Sequence, residues 1–321
     1  MVYRYPVNNE APFEFTFPDR LIVKERTESS IEQMKADILN YEPDIIFCSG
    51  WKDKVYLKLC YFFKSAGKPV VLCFDNRWSG SFRQMAAGLL SRFFIQLCFS
   101  HAWVPGIKQK EFALKLGFDE HRIQAGFYVA DTGLFRSLFT IRMNNDEVNN
   151  RKRFIYVGRY YSFKGVEDLW NAFIRFSDEH PGWELWCVGS GDISPVHHEK
   201  IRHFGFLQPE QLKDIIAEGG IFVLPSRFEP WGVVVQEMAA AGFPLLLSSE
   251  VGAAELFLDN GINGFMFEAG SVNSCYLSMC KFTQLNQSEL KRMSERSYLN
   301  SMKISSQSWI TALYSFLKNN S

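Results

Sequence analysis

A chain of 321 residues is longer than one hydrophobic core usually grows, so two domains of roughly 150 residues are expected. A 47% hydrophobic content can fill cores of that size. A formal net charge of zero argues against a nucleic-acid-binding surface as the main business of the protein.

Seven cysteines show no C-x-x-C pair and no metal-like spacing to histidine, which fits buried thiols in a reducing cytosol. Residues 1–10 lack the apolar stretch of a signal peptide. The longest uncharged candidate span, 93–107, is too short to cross a bilayer. The chain therefore reads as cytoplasmic, with peripheral contact to the inner face of a membrane left open.

Short apolar runs alternate with longer helical patterns throughout. Residues 1–18 contain no glycine, an unusual opening for a doubly wound domain, which ordinarily starts with a strand and a glycine-rich turn. Strand patterns follow at 44–50, 69–75 and 102–106, with helical patterns at 29–40, 55–66 and 81–97. Arg83 and Arg92 fall on opposite faces of the last of these helices, which argues against a clean membrane-binding stripe. The asparagine-rich run 142–153 reads as an exposed linker or loop.

A second series then begins. Strands are expected at 154–158, 183–189, 221–224 and 244–247, and helices at 166–178, 209–218, 234–241 and 253–258. The tail 288–317 is helical in pattern, with Trp309, Leu313 and Phe316 at helical spacing. This repetition predicts α/β architecture, with parallel sheets covered by helices.

Several segments carry chemistry. In PSRFEPWGVVVQEMAAAG, Glu229 and Glu237 stand eight positions apart, one in a strand-to-helix loop and one in the helix. A helix start offers free N–H groups to an anion, and the carboxylates can accept hydrogen bonds from sugar hydroxyls. Gly158-Arg159 followed by Lys164-Gly165 places a guanidinium and an ammonium where they could neutralise one diphosphate. The run Val188-Gly-Ser-Gly-Asp192 lacks a third glycine and a following helix, so a hydride-transfer cofactor is not expected, although a nucleotide could approach its backbone. No D-x-D sequence occurs, so the metal often used in sugar transfer has no obvious holder, and Arg159 with Lys164 can fill the cation role. His197 and His198 read as surface residues, and His101 as a core histidine.

Gly158-Arg159…Lys164-Gly165, Val188-Gly-Ser-Gly191, Phe204-Gly-Phe206, Pro225-Ser226, Glu229-Pro-Trp-Gly232…Glu237 and Asn260-Gly-Ile-Asn-Gly264 occur in an order that resembles family 4 glycosyltransferases. The resemblance covers about residues 154–270. It implies a GT-B fold, in which two doubly wound Rossmann-like domains face across a cleft. An acceptor domain would occupy 1–135 and a nucleotide-sugar domain 136–300, with a helix at 301–321 packing back on the first. It also implies a retaining, metal-independent transferase with no cofactor beyond its donor.

By the same resemblance, Arg159 and Lys164 would hold the donor diphosphate at Gly158, and Glu229 would contact donor-sugar hydroxyls. The backbone at Trp231, Gly232 and Val233 would lie against sugar and phosphate. Glu237 would accept from the ribose, and Phe206 would line the base pocket. Many relatives carry a first-domain histidine where this chain has Cys73-Phe-Asp-Asn76, so Asp75 becomes the candidate catalytic group there. Asn76, Arg77 and Arg83 are candidates for a saccharide or lipid-linked saccharide acceptor, in bacterial polysaccharide or glycolipid assembly. The alternatives are a catalytically silent GT-B partner subunit and a GT-B nucleotide-sugar epimerase.

Overall fold

The structure, a computed structural model, describes residues 1–6, 17–78, 80, 82–145 and 151–318. The chain packs as two compact units, Met1–Tyr128 with Ser306–Ser321, and Val129–Ser305.

The first unit opens with β1 (Val2–Arg4) and β2 (Val23–Glu25), which pair in parallel as a small separate sheet. The glycine-free start is thus not the leading strand of the larger sheet. Next come α1 (Ile31–Tyr41), β3 (Ile46–Ser49), α2 (Lys54–Ser65), β4 (Val70–Cys73), α3 (Phe82–Cys98), β5 (His101–Val104), α4 (Ile107–Lys115) and β6 (Ile123–Ala125). Strands β3 to β6 lie side by side in chain order, all parallel. Every residue of β4 and β5 is buried, as expected of central parallel strands covered on both faces. Side-chain caps begin two of the helices: Ser30 accepts from the Gln33 N–H (3.1 Å) and Asp53 from the Val55 N–H (2.7 Å).

The second unit contains α5 (Thr132–Met143), β7 (Arg153–Val157), α6 (Val166–Glu179), β8 (Glu184–Val188), β9 (Ile201–His203), α7 (Pro209–Ala217) and β10 (Ile221–Leu224). It continues with α8 (Val233–Ala240), β11 (Leu245–Ser248), α9 (Ala254–Phe257), β12 (Gly264–Phe267), α10 (Val272–Thr283) and α11 (Gln287–Ser301). Its parallel sheet has the order β12-β11-β10-β7-β8-β9. The chain builds outward from β7 in one direction and then returns to build from β10 in the other. The loops leaving β7 and β10 therefore diverge, and this switch point is where doubly wound sheets hold ligands. Beneath it, Phe154, Phe176, Trp183 and Phe282 form an aromatic core, with ring centroids 4.9–6.1 Å from Phe154.

The helical tail is two helices rather than one. α11 ends at Ser301, and α12 (Ser306–Lys318) groups with the first unit. There the Trp309 ring lies 4.6 Å from Trp103 and its Nε1 donates to the Phe127 carbonyl (2.9 Å), while Phe316 packs on Trp103 and His101.

The run 142–153 departs from its expected exposure at both ends, and residues 146–150 lie outside the described residues. Arg142 is buried at the end of α5, where its Nη1 donates to the Ala241 carbonyl (2.6 Å) and its guanidinium covers Phe243. Arg153 is buried at the start of β7, over the Trp186 ring (3.4 Å) and paired with Glu184 and Glu218. Carbonyls and aromatic faces make these burials tolerable, and neither partner is near in sequence.

Candidate functional site

The two switch-point loops are fastened to each other. The Phe163 carbonyl accepts from the N–H groups of both Arg227 (2.9 Å) and Phe228 (3.1 Å). Asp168, in the first turn of α6, takes the Arg227 guanidinium in a two-bonded clamp, each bond 2.7 Å. Gly165 starts α6 at φ +66°, and a Cβ there would sit 2.3 Å from the Pro225 carbonyl oxygen, so only glycine lets the strands' exits come this close.

Within this frame Lys164 Nζ forms a short ion pair with Glu229 Oε2, and both side chains are largely shielded. Ser226 Oγ donates to the same oxygen at 3.3 Å. The loop after β10 is held from its other side as well. The Gly252 N–H donates to the Glu229 carbonyl (3.0 Å) and the Ala253 N–H to the Trp231 carbonyl (2.8 Å). A Cβ on Gly252 would meet the Pro230 oxygen at 2.0 Å.

The Trp231 ring is buried near Phe257, so it is the backbone at this position that faces the loop. Gly232, at φ +93°, turns the chain into α8. Both α6 and α8 thus begin from a left-handed glycine with no side-chain cap, which leaves first-turn N–H groups for an anion. Val233 is the first residue of α8 and half-buried.

Arg159 is exposed beside Lys164's loop, its guanidinium 5.0 Å from the Tyr161 ring, and its carbonyl accepts from Tyr156 Oη (2.8 Å). Gly158 is half-buried, and its carbonyl faces the glycines that follow β8. The Gly189 and Gly191 positions are filled by backbone: Cβ atoms there would lie 1.8 Å from the Gly158 oxygen and 2.4 Å from the Tyr160 oxygen. The glycine pair thus lets the loop after β8 pack directly on the loop after β7. Phe206 lies half-buried past β9.

Glu237 sits in the middle of α8, half-buried. Burial, with the nearby Asp131 charge adding to it, pushes its carboxyl up to about 7. Its neighbour Gln236 is fully buried and makes three long-range bonds. Its Oε1 accepts from the Ala130 N–H (2.9 Å), and its Nε2 donates to the carbonyls of Ser301 (3.0 Å) and Ile304 (2.8 Å). Asp168, Arg227, Asp131 and Gln236 escape a reading of the sequence because their partners lie elsewhere in the chain. Only the polar residues inside the apolar stretch 221–241 hint at them.

In the first unit, Asp75 follows β4 and is half-buried. Tyr128 Oη donates to its Oδ2 (3.2 Å), and Gln109 Nε2 donates to its carbonyl (3.2 Å). Burial and the Asp75 carboxylate hold the Tyr128 phenol well above its usual range. Asn76 is exposed and Arg77 half-buried in the same loop. Arg83 belongs to α3, and its side chain lies outside what the structure describes.

Residues 151–283 match the family model of glycosyl transferases group 1. An uncharacterized glycosyltransferase of Methanocaldococcus jannaschii is 32% identical over 126 residues, 36% of this chain and 32% of the relative. Glycogen synthase of Mycobacterium tuberculosis is 35% identical over 119 residues, 34% of this chain and 28% of the relative. The chain thus spans about a third of the length of these curated relatives. Among solved structures, Anabaena HepE in complex with UDP and glucose superposes with a TM-score of 0.70 at 15% identity, covering 92% of this chain and 86% of that one. The fold is that of GT-B glycosyltransferase structures, and the likeness in sequence to glycosyl transferases group 1 lies in residues 151–283.

Proposed function

We propose that the protein transfers a sugar from a nucleotide-sugar donor to an acceptor hydroxyl, with retention of configuration and without a metal. The observation that carries this reading is the Lys164–Glu229 ion pair at the switch point, between two helix starts that glycine leaves uncapped. HepE, a neighbour in fold, holds UDP with glucose and also UDP-glucose in its complexes, which supports a nucleoside-diphosphate donor.

On this reading the free site is self-neutralised. An arriving diphosphate draws Lys164 away from Glu229, and Arg159 and the N–H groups of α8 complete the anion's shell. Glu229, released from its cation, turns its oxygens to the hydroxyls of the donor sugar, while Glu237 accepts from the ribose. The backbone at Gly158, Trp231, Gly232 and Val233 lies along sugar and phosphate, and Phe206 borders the base. The acceptor oxygen bonds to the anomeric carbon as the bond to the diphosphate oxygen breaks. The electron pair stays on the diphosphate, and the acceptor proton passes to the departing oxygen. Asp75 is assigned a catalytic role, and Asn76, Arg77 and Arg83 are assigned to the acceptor, whose class is a saccharide or lipid-linked saccharide. The likeness to a glycogen synthase supports a role in polysaccharide assembly.

The test is binding and slow hydrolysis across UDP-, GDP- and TDP-sugars, with and without EDTA. One nucleotide class should bind and turn over equally in both conditions. Failure of every nucleotide to bind would overturn the transfer reading, and strict metal dependence would overturn the role given to Arg159 and Lys164.

A further inference from the structure

Helix α3 turns an apolar face to solvent. Phe82 is 90% exposed and Phe93 76%, with Met85 and Leu97 each more than half exposed. At about 100° per residue these four side chains share one stripe, while Ile95 and Cys98 on the opposite side are buried in the first unit's core. Four large apolar side chains exposed on one side of a helix mark a binding face rather than ordinary scatter. Arg92 stands exposed at one edge of the stripe, where its charge can stay in water beside an apolar layer.

The sequence on either side of this helix is predominantly basic. Between residues 54 and 117 the sequence holds ten Lys or Arg and two Asp or Glu, in a chain whose overall balance is zero. Lys54 and Lys58 are exposed on α2, which packs along α3, and Lys115 lies over the Trp78 ring. A second copy pressed against this face would bring two such basic segments together, which disfavours a dimer. An anionic bilayer meets both features at once, with headgroups for the cations and an acyl boundary for the rings. No helix among the described residues is long and apolar enough to cross a membrane, so contact would be on one leaflet.

We propose that α3 is an interfacial docking helix, which lays Phe82, Met85, Phe93 and Leu97 into an anionic lipid surface while the surrounding Lys and Arg engage its headgroups. This stands apart from the transfer reading. Vesicle binding without any nucleotide-sugar binding would leave the docking helix intact and overturn only the transfer reading.

The experiment is co-sedimentation of the full chain with phosphatidylcholine vesicles, with and without phosphatidylglycerol. The wild-type protein should partition onto the phosphatidylglycerol vesicles about tenfold or more better than onto phosphatidylcholine alone. The double variant Phe82→Ser/Phe93→Ser should lose about tenfold or more of that partition. Both positions are exposed, so an unchanged far-UV spectrum should show that the variant is folded. Absence of wild-type sedimentation, equal binding to both vesicle types, or unchanged binding by the double variant would overturn the proposal. So would a wild-type dimer in light scattering that the double variant splits, since the occupant would then be a second copy.

Discussion

Glu237→Gln should stabilise the protein at pH 8 and remove a pH dependence from its unfolding. The carboxyl rises from 4.5 to about 7 in the fold, so between those values the native state holds a proton that the unfolded chain has lost. Stability of the wild type must therefore fall as pH climbs through this window and level off above it. At 1.36 kcal/mol per unit, the full shift amounts to about 3 kcal/mol, an upper figure because the side chain is only half-buried. Glutamine mimics the protonated acid without the charge that burial and Asp131 oppose. Urea unfolding at pH 4, 6 and 8 measures the effect. The two proteins should coincide at pH 4, and the variant should be more stable by up to about 3 kcal/mol at pH 8. A variant no more stable than wild type at pH 8 would refute the account, since Glu237 would then be ionised in the fold at no cost. If Glu237 also accepts from a ribose, nucleotide binding near pH 6 should release a proton in calorimetry and cease to do so in the variant.

Lys164→Met should weaken donor binding by about tenfold or more, and should also cost about 2–4 kcal/mol in stability, because Glu229 would be left shielded without its cation. Denaturation curves and nucleotide titration separate the two effects, and a variant that binds donor normally would remove Lys164 from the site. Gly189→Ala should cost about 3 kcal/mol or more, since its Cβ would fall 1.8 Å from a backbone oxygen at a φ of +137°. A loss below about 1 kcal/mol would mean the two loops separate easily. Gln236→Leu should cost about 3 kcal/mol by orphaning one N–H and two carbonyls, read from the same unfolding curves.

The residues of the two switch-point loops were legible because each loop's parts lie close together along the chain. Arg159 and Lys164 share one strand-to-helix loop, Glu229 lies in another with Glu237 in the helix that follows it, and each loop is announced by an apolar strand. What escaped were the partners that hold those loops. Asp168 grips Arg227 from 59 residues away, and no local pattern distinguishes it from a solvated first-turn acid. The same holds for Arg142 and Arg153, whose asparagine-rich setting suggests water while a carbonyl and a ring receive them inside. Strands β6, β9 and β12 span only three or four residues each, too short for alternation to register. The Val188-Gly-Ser-Gly191 run shows the converse difficulty. A glycine states that something comes close, but not whether it is a ligand or the chain's own backbone.

Gln236 has a consequence for engineering. Its amide ties Ala130, the second residue of the second unit, to Ser301 and Ile304, at that unit's far end. The segment 129–305 therefore leaves and returns at a single anchored point, the geometry of a cassette whose two ends can be cut and rejoined. Excised with those ends intact, it is a natural piece for separate expression or circular permutation, and a side chain such a cut must preserve, Gln236, is next to Glu237.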